Sequence, residues 1–147
     1  MATSPDQSAH FQGFYNRSPG ITSVGSYQVS GTPFLTGSEV TNGSEVQIDF
    51  PNVTKSITVI NKDATGNDAI QVHFASMTAN GGATITNKHF ITLDAKNSSV
   101  TLNVKAKSIW ISNLDPSGNN SDFELYAELT GIGPGAMWTL TGEGIDA

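Results

Sequence analysis

His10, His73 and His89 are the only imidazoles in the chain, and any acid–base or metal chemistry would have to begin with them. In DAIQVHFASM (68–77) Ile70, Val72 and Phe74 share one face of an extended segment, which puts His73 on the polar face; His89 opens KHFITLD. A metal site or a Ser-His-Asp arrangement needs both to converge with a carboxylate such as Asp94, and no spacing motif brings them there. Two ordinary strand histidines are the expectation. None of the many serines sits in a G-x-S-x-G turn, so no nucleophile is marked. With no cysteine there is no thiol catalysis, disulfide framework or Cys-based zinc site. The reading is of a chain that is not an enzyme and carries no cofactor.

Two acidic loops, DATGND (63–68) and DPSGNNSD (115–122), bring hard oxygen ligands into tight turns, the chemistry of a structural calcium site. Neither has the EF-hand spacing, and Asp and Asn are what turn geometry selects in any case. Asn42, Asn52, Asn97 and Asn119 open N-x-S/T triplets, which a composition rich in Asn, Ser and Thr explains without glycosylation. Aromatic residues mark binding surfaces instead. If Ile109 and Ile111 face inward, Trp110 faces outward, and Tyr126 lies opposite Phe123 and Leu125 by the same alternation. Two outward aromatics suit either a sugar platform or an interface with a neighbouring subunit, where Trp and Tyr are favoured. Phe11, Phe14 and Tyr15 bunch near the start of the chain in a stretch without sustained periodicity.

The elements that must position these side chains are strands. In DFELYAELTGIGPGAMWTLTG (122–142) Phe123, Leu125, Ala127 and Leu129 alternate with Glu124, Tyr126, Glu128 and Thr130, the pattern of a half-buried strand opening a final hairpin. SEVQIDF (44–50) alternates Val46, Ile48 and Phe50 with polar residues and is stopped by Pro51; SITVINK (56–62) turns Ile57 and Val59 inward. DATGN between SITVINK and DAIQVHFASM predicts a hairpin loop. SYQVSG and GTPFLTG read as a first short strand pair, with Pro33 forcing an edge or a turn. KHFITLD is a strand whose inward face its parity leaves open. Val100, Leu102 and Val104 share a face, and a kink at 105–107 precedes Ile109 and Ile111. The prediction is all-β: a β-sandwich or jelly-roll of eight to ten short antiparallel strands over 26–147. Residues 1–25 form an extended N-terminal arm or a terminus whose aromatics tuck back onto the sandwich.

Composition sets the outer bounds. A chain of 147 residues suffices for one domain with a real core. A net charge of −6 argues against a grip on nucleic acid or on an anionic membrane, and no apolar run is long enough to span a bilayer. With no basic start or apolar block of a secretion signal, the chain is expected to be made in the cytoplasm and kept soluble. Six of the seven basic residues (Lys55, Lys62, Lys88, Lys96, Lys105, Lys107) lie mid-chain, while everything from Asp115 onward is acidic or neutral. Such a chain either pairs its two signs between copies or cancels them within one sandwich.

SVGSYQVSGTPFLTGS near the start, SITVINK, IQVHFAS and HFITL in the middle, and FELYAELTGI with MWTLTGEGI at the end resemble small virion structural proteins of marine tailed phages, cyanophages in particular. The resemblance runs from about Ser23 to Ile145 and rests on structural rather than catalytic motifs. It implies a virion component similar to capsid decoration or cement proteins, which bind a major capsid protein or another virion protein at the capsid surface and commonly sit there as trimers. A tail, collar or fibre-associated protein is the alternative within that class, and a carbohydrate-binding module the alternative outside it. In the first reading Phe11, Phe14, Tyr15, Trp110 and Tyr126 are the partner-binding residues.

Overall fold

The computed structural model describes residues 29–64, 68–76, 89–113 and 118–139, with side chains from residue 33 onward. These hold eight strands: β1 (Val29–Val40), β2 (Ser44–Asp49), β3 (Thr54–Asn61), β4 (Ile70–His73), β5 (Ile91–Leu93), β6 (Ser99–Leu102), β7 (Ser108–Asn113) and β8 (Ser121–Thr130). A 3₁₀ turn, Pro134–Ala136, follows. The first sheet has the order β1-β8-β3-β6 and the second β2-β7-β4-β5, and every pairing is antiparallel.

One rule generates this order. β1 pairs with β8, β2 with β7, β3 with β6 and β4 with β5, so the first half of the chain lies against the second half in reverse. Pairing of β8 with β3 and of β7 with β4 then completes each sheet. The arrangement is a jelly-roll, the two-sheet form of a long hairpin wrapped around one core. The predicted β-sandwich is therefore the fold, at the low end of the expected strand number among the described residues.

Alternation decides which residues fill the space between the sheets. Ile57, Val59, Phe123, Leu125, Ala127 and Leu129 from the first sheet meet Ile48, Ile70, Val72, Leu93, Ile109 and Ile111 from the second, all buried. Phe34 of β1 meets Phe50, just past β2, edge to face at 5.2 Å and 80°, joining the layers near one edge. Leu93 and Ile91 lie opposite the core residues Ile70 and Val72 of β4, which settles their parity as the inward face of KHFITLD; Leu93 is buried, while Ile91, on the edge strand, stays exposed. The 105–107 kink is the crossing from β6 in one sheet to β7 in the other.

The predicted hairpins are corrected. DATGN does not join paired strands, because β3 ends in the first sheet and β4 begins in the second. The expected short pair at the start is one strand, β1, interrupted by a register shift between Val29 and Pro33; Pro33 does lie on an edge strand, as predicted. The last segment also departs from expectation. β8 is followed by Gly131, Ile132 and the 3₁₀ turn, residues 137–139 form no strand, and 140–142 lie outside the described residues. Alternation specifies a face but not a partner. Buried Ile132 turns toward the β2–β3 connection, where its carbonyl accepts from the Val53 amide at 2.9 Å, and Pro134 then sets the turn.

Tight sheet-switching turns need special backbone. Gly43, with φ of 75°, closes the turn between β1 and β2, where the Ser44 amide and hydroxyl both donate to the Thr41 carbonyl at 3.0 and 2.7 Å. Gly37 serves a different purpose, because a Cβ there would lie 2.8 Å from the Phe123 carbonyl oxygen of β8. Gly37→Val is therefore expected to cost about 1–3 kcal/mol by forcing β1 away from β8. A urea titration followed by circular dichroism measures this, and a midpoint equal to the parent's would show that β1 moves without penalty.

Candidate functional site

The polar face expected for His73 exists in parity but not in exposure. Gln71, His73 and Ser112 point away from the core on neighbouring strands, yet all three are buried, His73 to 1%. His73 Nδ1 lies 2.8 Å from the Ala75 carbonyl, which can only accept, so Nδ1 carries the proton and donates. Nε2 is then the acceptor for the Ser112 hydroxyl at 3.0 Å. Glu45 Oε2 sits 4.0 Å from Nε2, and the other oxygen of Glu45 accepts from Ser76 Oγ. This places a serine, a histidine and a carboxylate together, but not in a nucleophilic order. The acid stands on the serine side of the ring, and Ser112 is fully buried where a substrate would have to reach it. His89 is exposed, and among the described residues no group of three or more His, Asp or Glu side chains could hold a metal ion.

Burial holds the His73 imidazole below its usual pKa; the Ala75 carbonyl and the Glu45 charge pull it upward without overcoming that cost. The unfolded chain therefore takes up a proton below about pH 6.5 that the folded chain refuses, so acidification destabilises. The loss accumulates as pH falls from that value through the lower folded pKa. Urea midpoints at about pH 7.5 and about pH 5.5 are expected to differ more in the parent than in His73→Gln. Equal differences would show that other groups carry the pH dependence.

The described parts of the acidic loops belong to a hydrogen-bonded end of the sandwich. Asn61, fully buried, closes β3; its Nδ2 donates to the Asp68 and Leu93 carbonyls at 2.8 and 3.0 Å, and its Oδ1 accepts from the Asp63 amide at 2.9 Å. Asp63 Oδ2 accepts from the Asp68 amide at 3.2 Å. Asn113 closes β7 at the same end, with Nδ2 near the Val40 and Asn119 carbonyls at 3.2 and 2.9 Å. Each asparagine ties one sheet to the other.

The uneven charge along the sequence is partly cancelled within the first sheet. Lys55 of β3 and Lys62 just past its end reach Glu128 and Glu124 of β8 at 4.0 and 3.8 Å. These exposed pairs add little stability. They also use up part of the asymmetry that pairing between copies would need.

Tyr126 and Trp110 both face outward from the core, as predicted, but from different sheets. They therefore cannot form one platform. Tyr126, 38% exposed, stands opposite Leu35 of edge strand β1, which is 71% exposed. With Ile60, Gly37 and Glu124 they line a shallow groove of about 440 Å³. Trp110 is half-buried on the second sheet opposite Gln47 of β2, in a groove of about 500 Å³ that also includes Asp49, Lys107 and Thr139. Phe11, Phe14 and Tyr15 lie outside the described residues. Trp138, 62% exposed, was missed in the sequence because it fell on the expected return arm of a hairpin.

The fold and these surfaces define a jelly-roll with one outward aromatic groove on each sheet. No protein-family model matches the chain, and no curated protein matches it. Several solved structures do. One is a de novo designed double-stranded β-helix, 18% identical, covering 65% of this chain and 99% of its own, with a TM-score of 0.38. A protein of Bacillus endospore appendages, described as disulfide-linked pili, is 17% identical over 76% of this chain and 98% of its own, at 0.39. PirA is 14% identical over 64% of this chain and 93% of its own, at 0.38. At these levels the assignment of the fold rests on the strand pairing itself.

Proposed function

We propose that this chain is a non-enzymatic virion structural protein, a capsid decoration protein that binds the shell through the outer face of its first sheet. One observation carries the reading: Leu35 and Tyr126, paired in register, place a large aliphatic and an aromatic side chain side by side in an open groove at a sheet edge. Their apolar area gains about 25 cal/mol per Å² when a partner covers it. Among the described residues β1 has one neighbour in its sheet, β8, so its other edge can accept a further strand. Occupancy of many equivalent sites on a closed lattice multiplies a modest affinity, so a small domain holds without a covalent bond. The resemblance to marine phage structural proteins supplies the particle, and a homotrimer on the shell is the assembly that accompanies it.

The test is immunoelectron microscopy of particles from the phage that encodes the chain, using antibody to the purified protein. Label distributed over the head is expected. Label confined to the tail, collar or fibres would move the protein to that role, and unlabelled particles would overturn the reading. Leu35→Ser with Tyr126→Ser is expected to abolish head labelling while leaving the fold intact.

A further inference from the structure

The groove on the second sheet has a composition unlike that of the first. Gln47 and Asp49, both exposed, lie two residues apart on the outer face of β2, opposite Trp110 and Ser108 of β7. Gln47 Nε2 donates to Asp49 Oδ1 at 2.8 Å, which holds the amide and the carboxylate together beside the indole. Asp49 Oδ2 and Gln47 Oε1 have no partner among the described residues and remain open as acceptors. Lys107 Nζ is engaged, donating to Thr139 Oγ1 at 2.6 Å and to the Met137 carbonyl at 3.4 Å. That contact pins the segment after the 3₁₀ turn along the groove wall and fixes Trp138 near Lys107 and Ser108 in an adjoining hollow. Both tryptophans of the chain therefore flank one short stretch of β7.

We propose that this groove binds a carbohydrate, with a pyranose ring stacked on Trp110 and its hydroxyls donating to Asp49 and Gln47. Beside the second N–H of the Gln47 amide, the open groups are acceptors held in one pair, so the ligand must bring donors together with an acceptor. An aromatic face beside them asks for a flat apolar surface on the same ligand. A pyranose has both, a C–H face and a rim of hydroxyls. The groove volume of about 500 Å³ is of small-ligand size, and its mixed lining lacks the deep apolar pocket that would seat a peptide anchor. The site lies on the sheet opposite the surface assigned to shell binding, so the chain can hold a particle with one face and a glycan with the other.

Isothermal titration of the full chain with cellotriose, mannotriose and chitotriose tests this. At least one is expected to bind with a Kd of about 0.1–5 mM. Asp49→Ala and Gln47→Ala, at exposed positions, are expected to weaken it roughly tenfold each, and Tyr126→Ser to leave it unchanged. In Trp138→Phe the remaining fluorescence reports Trp110 alone, and the sugar is expected to shift it. The proposal is overturned if none of the three binds at about 10 mM, if Asp49→Ala binds like the parent, or if Trp110 emission stays unmoved in Trp138→Phe. Particle labelling is independent of every one of these results, so failure here leaves the shell-binding reading standing, and the reverse.

Discussion

Asn61→Leu is expected to destabilise the chain by about 3–6 kcal/mol, comparable to the whole stability of many domains. Leucine branches at the same atom as asparagine but is bulkier and cannot hydrogen-bond, so lost hydrogen bonds and overpacking of a fully buried site act together. Three backbone groups would lose the hydrogen bond that Asn61 gives them: the Asp68 and Leu93 carbonyls and the Asp63 amide, all on buried residues. Each such bond lost at a buried site costs about 1–3 kcal/mol. The three belong to different parts of the jelly-roll, since Asn61 closes β3 of the first sheet, Asp68 precedes β4, and Leu93 ends β5 of the second. One side chain thus fixes where the chain leaves one layer and enters the other. Asn61→Asp is expected to be worse still, because it keeps the acceptor, removes both donors and buries a charge. Equilibrium urea unfolding is the measurement. A midpoint for Asn61→Leu within error of the parent's would mean that the end of the sandwich relaxes to admit water.

Several strands were legible in the sequence because apolar core-facing residues alternate with polar ones. Val46, Ile48 and Phe50 on one side of SEVQIDF, and Ile57 and Val59 in SITVINK, are apolar where they meet the core and polar residues lie between them. What alternation lacks is any record of the partner. β3 is flanked by β8 and β6, more than thirty residues away at every paired position, so the nearest strand in sequence is not its neighbour. His73 shows a second limit. Its parity is that of a polar face, but Gln71 and Ser112 share that face and all three are buried, so their polar atoms meet protein instead of water. Asn61 and Asn113 read as ordinary loop residues, because nothing local distinguishes a turn asparagine from one bonding across two sheets. For the proposed binding surfaces, outward parity located Trp110 and Tyr126, while the opposition of their sheets and the position of Trp138 depend on long-range topology.

Leu125→Ala is expected to cost about 2–5 kcal/mol, and its neighbour Tyr126→Ser less than about 1 kcal/mol, although the two side chains leave adjacent positions of one strand. β8 lies inside its sheet, with Thr36 of β1 and Val59 of β3 on either side of Leu125. Leu125 is 1% exposed and packs in the core with Ile57, Ile111 and Phe123, so truncation leaves a cavity that the two sheets, each held by its ladders, close only in part. Leu125→Met, which keeps the volume, is expected to stay within about 1.5 kcal/mol of the parent. Tyr126 gives its area to solvent in the isolated chain, so removing it takes little from the folded state. Its expected effect is on the proposed shell binding, in which a partner would cover the same area. Thermal unfolding of the purified variants, set beside head labelling of particles, separates the two faces of this strand. If Tyr126→Ser unfolds as readily as Leu125→Ala, the outer face is part of the core, and the surface assigned to the shell must be sought elsewhere on the molecule.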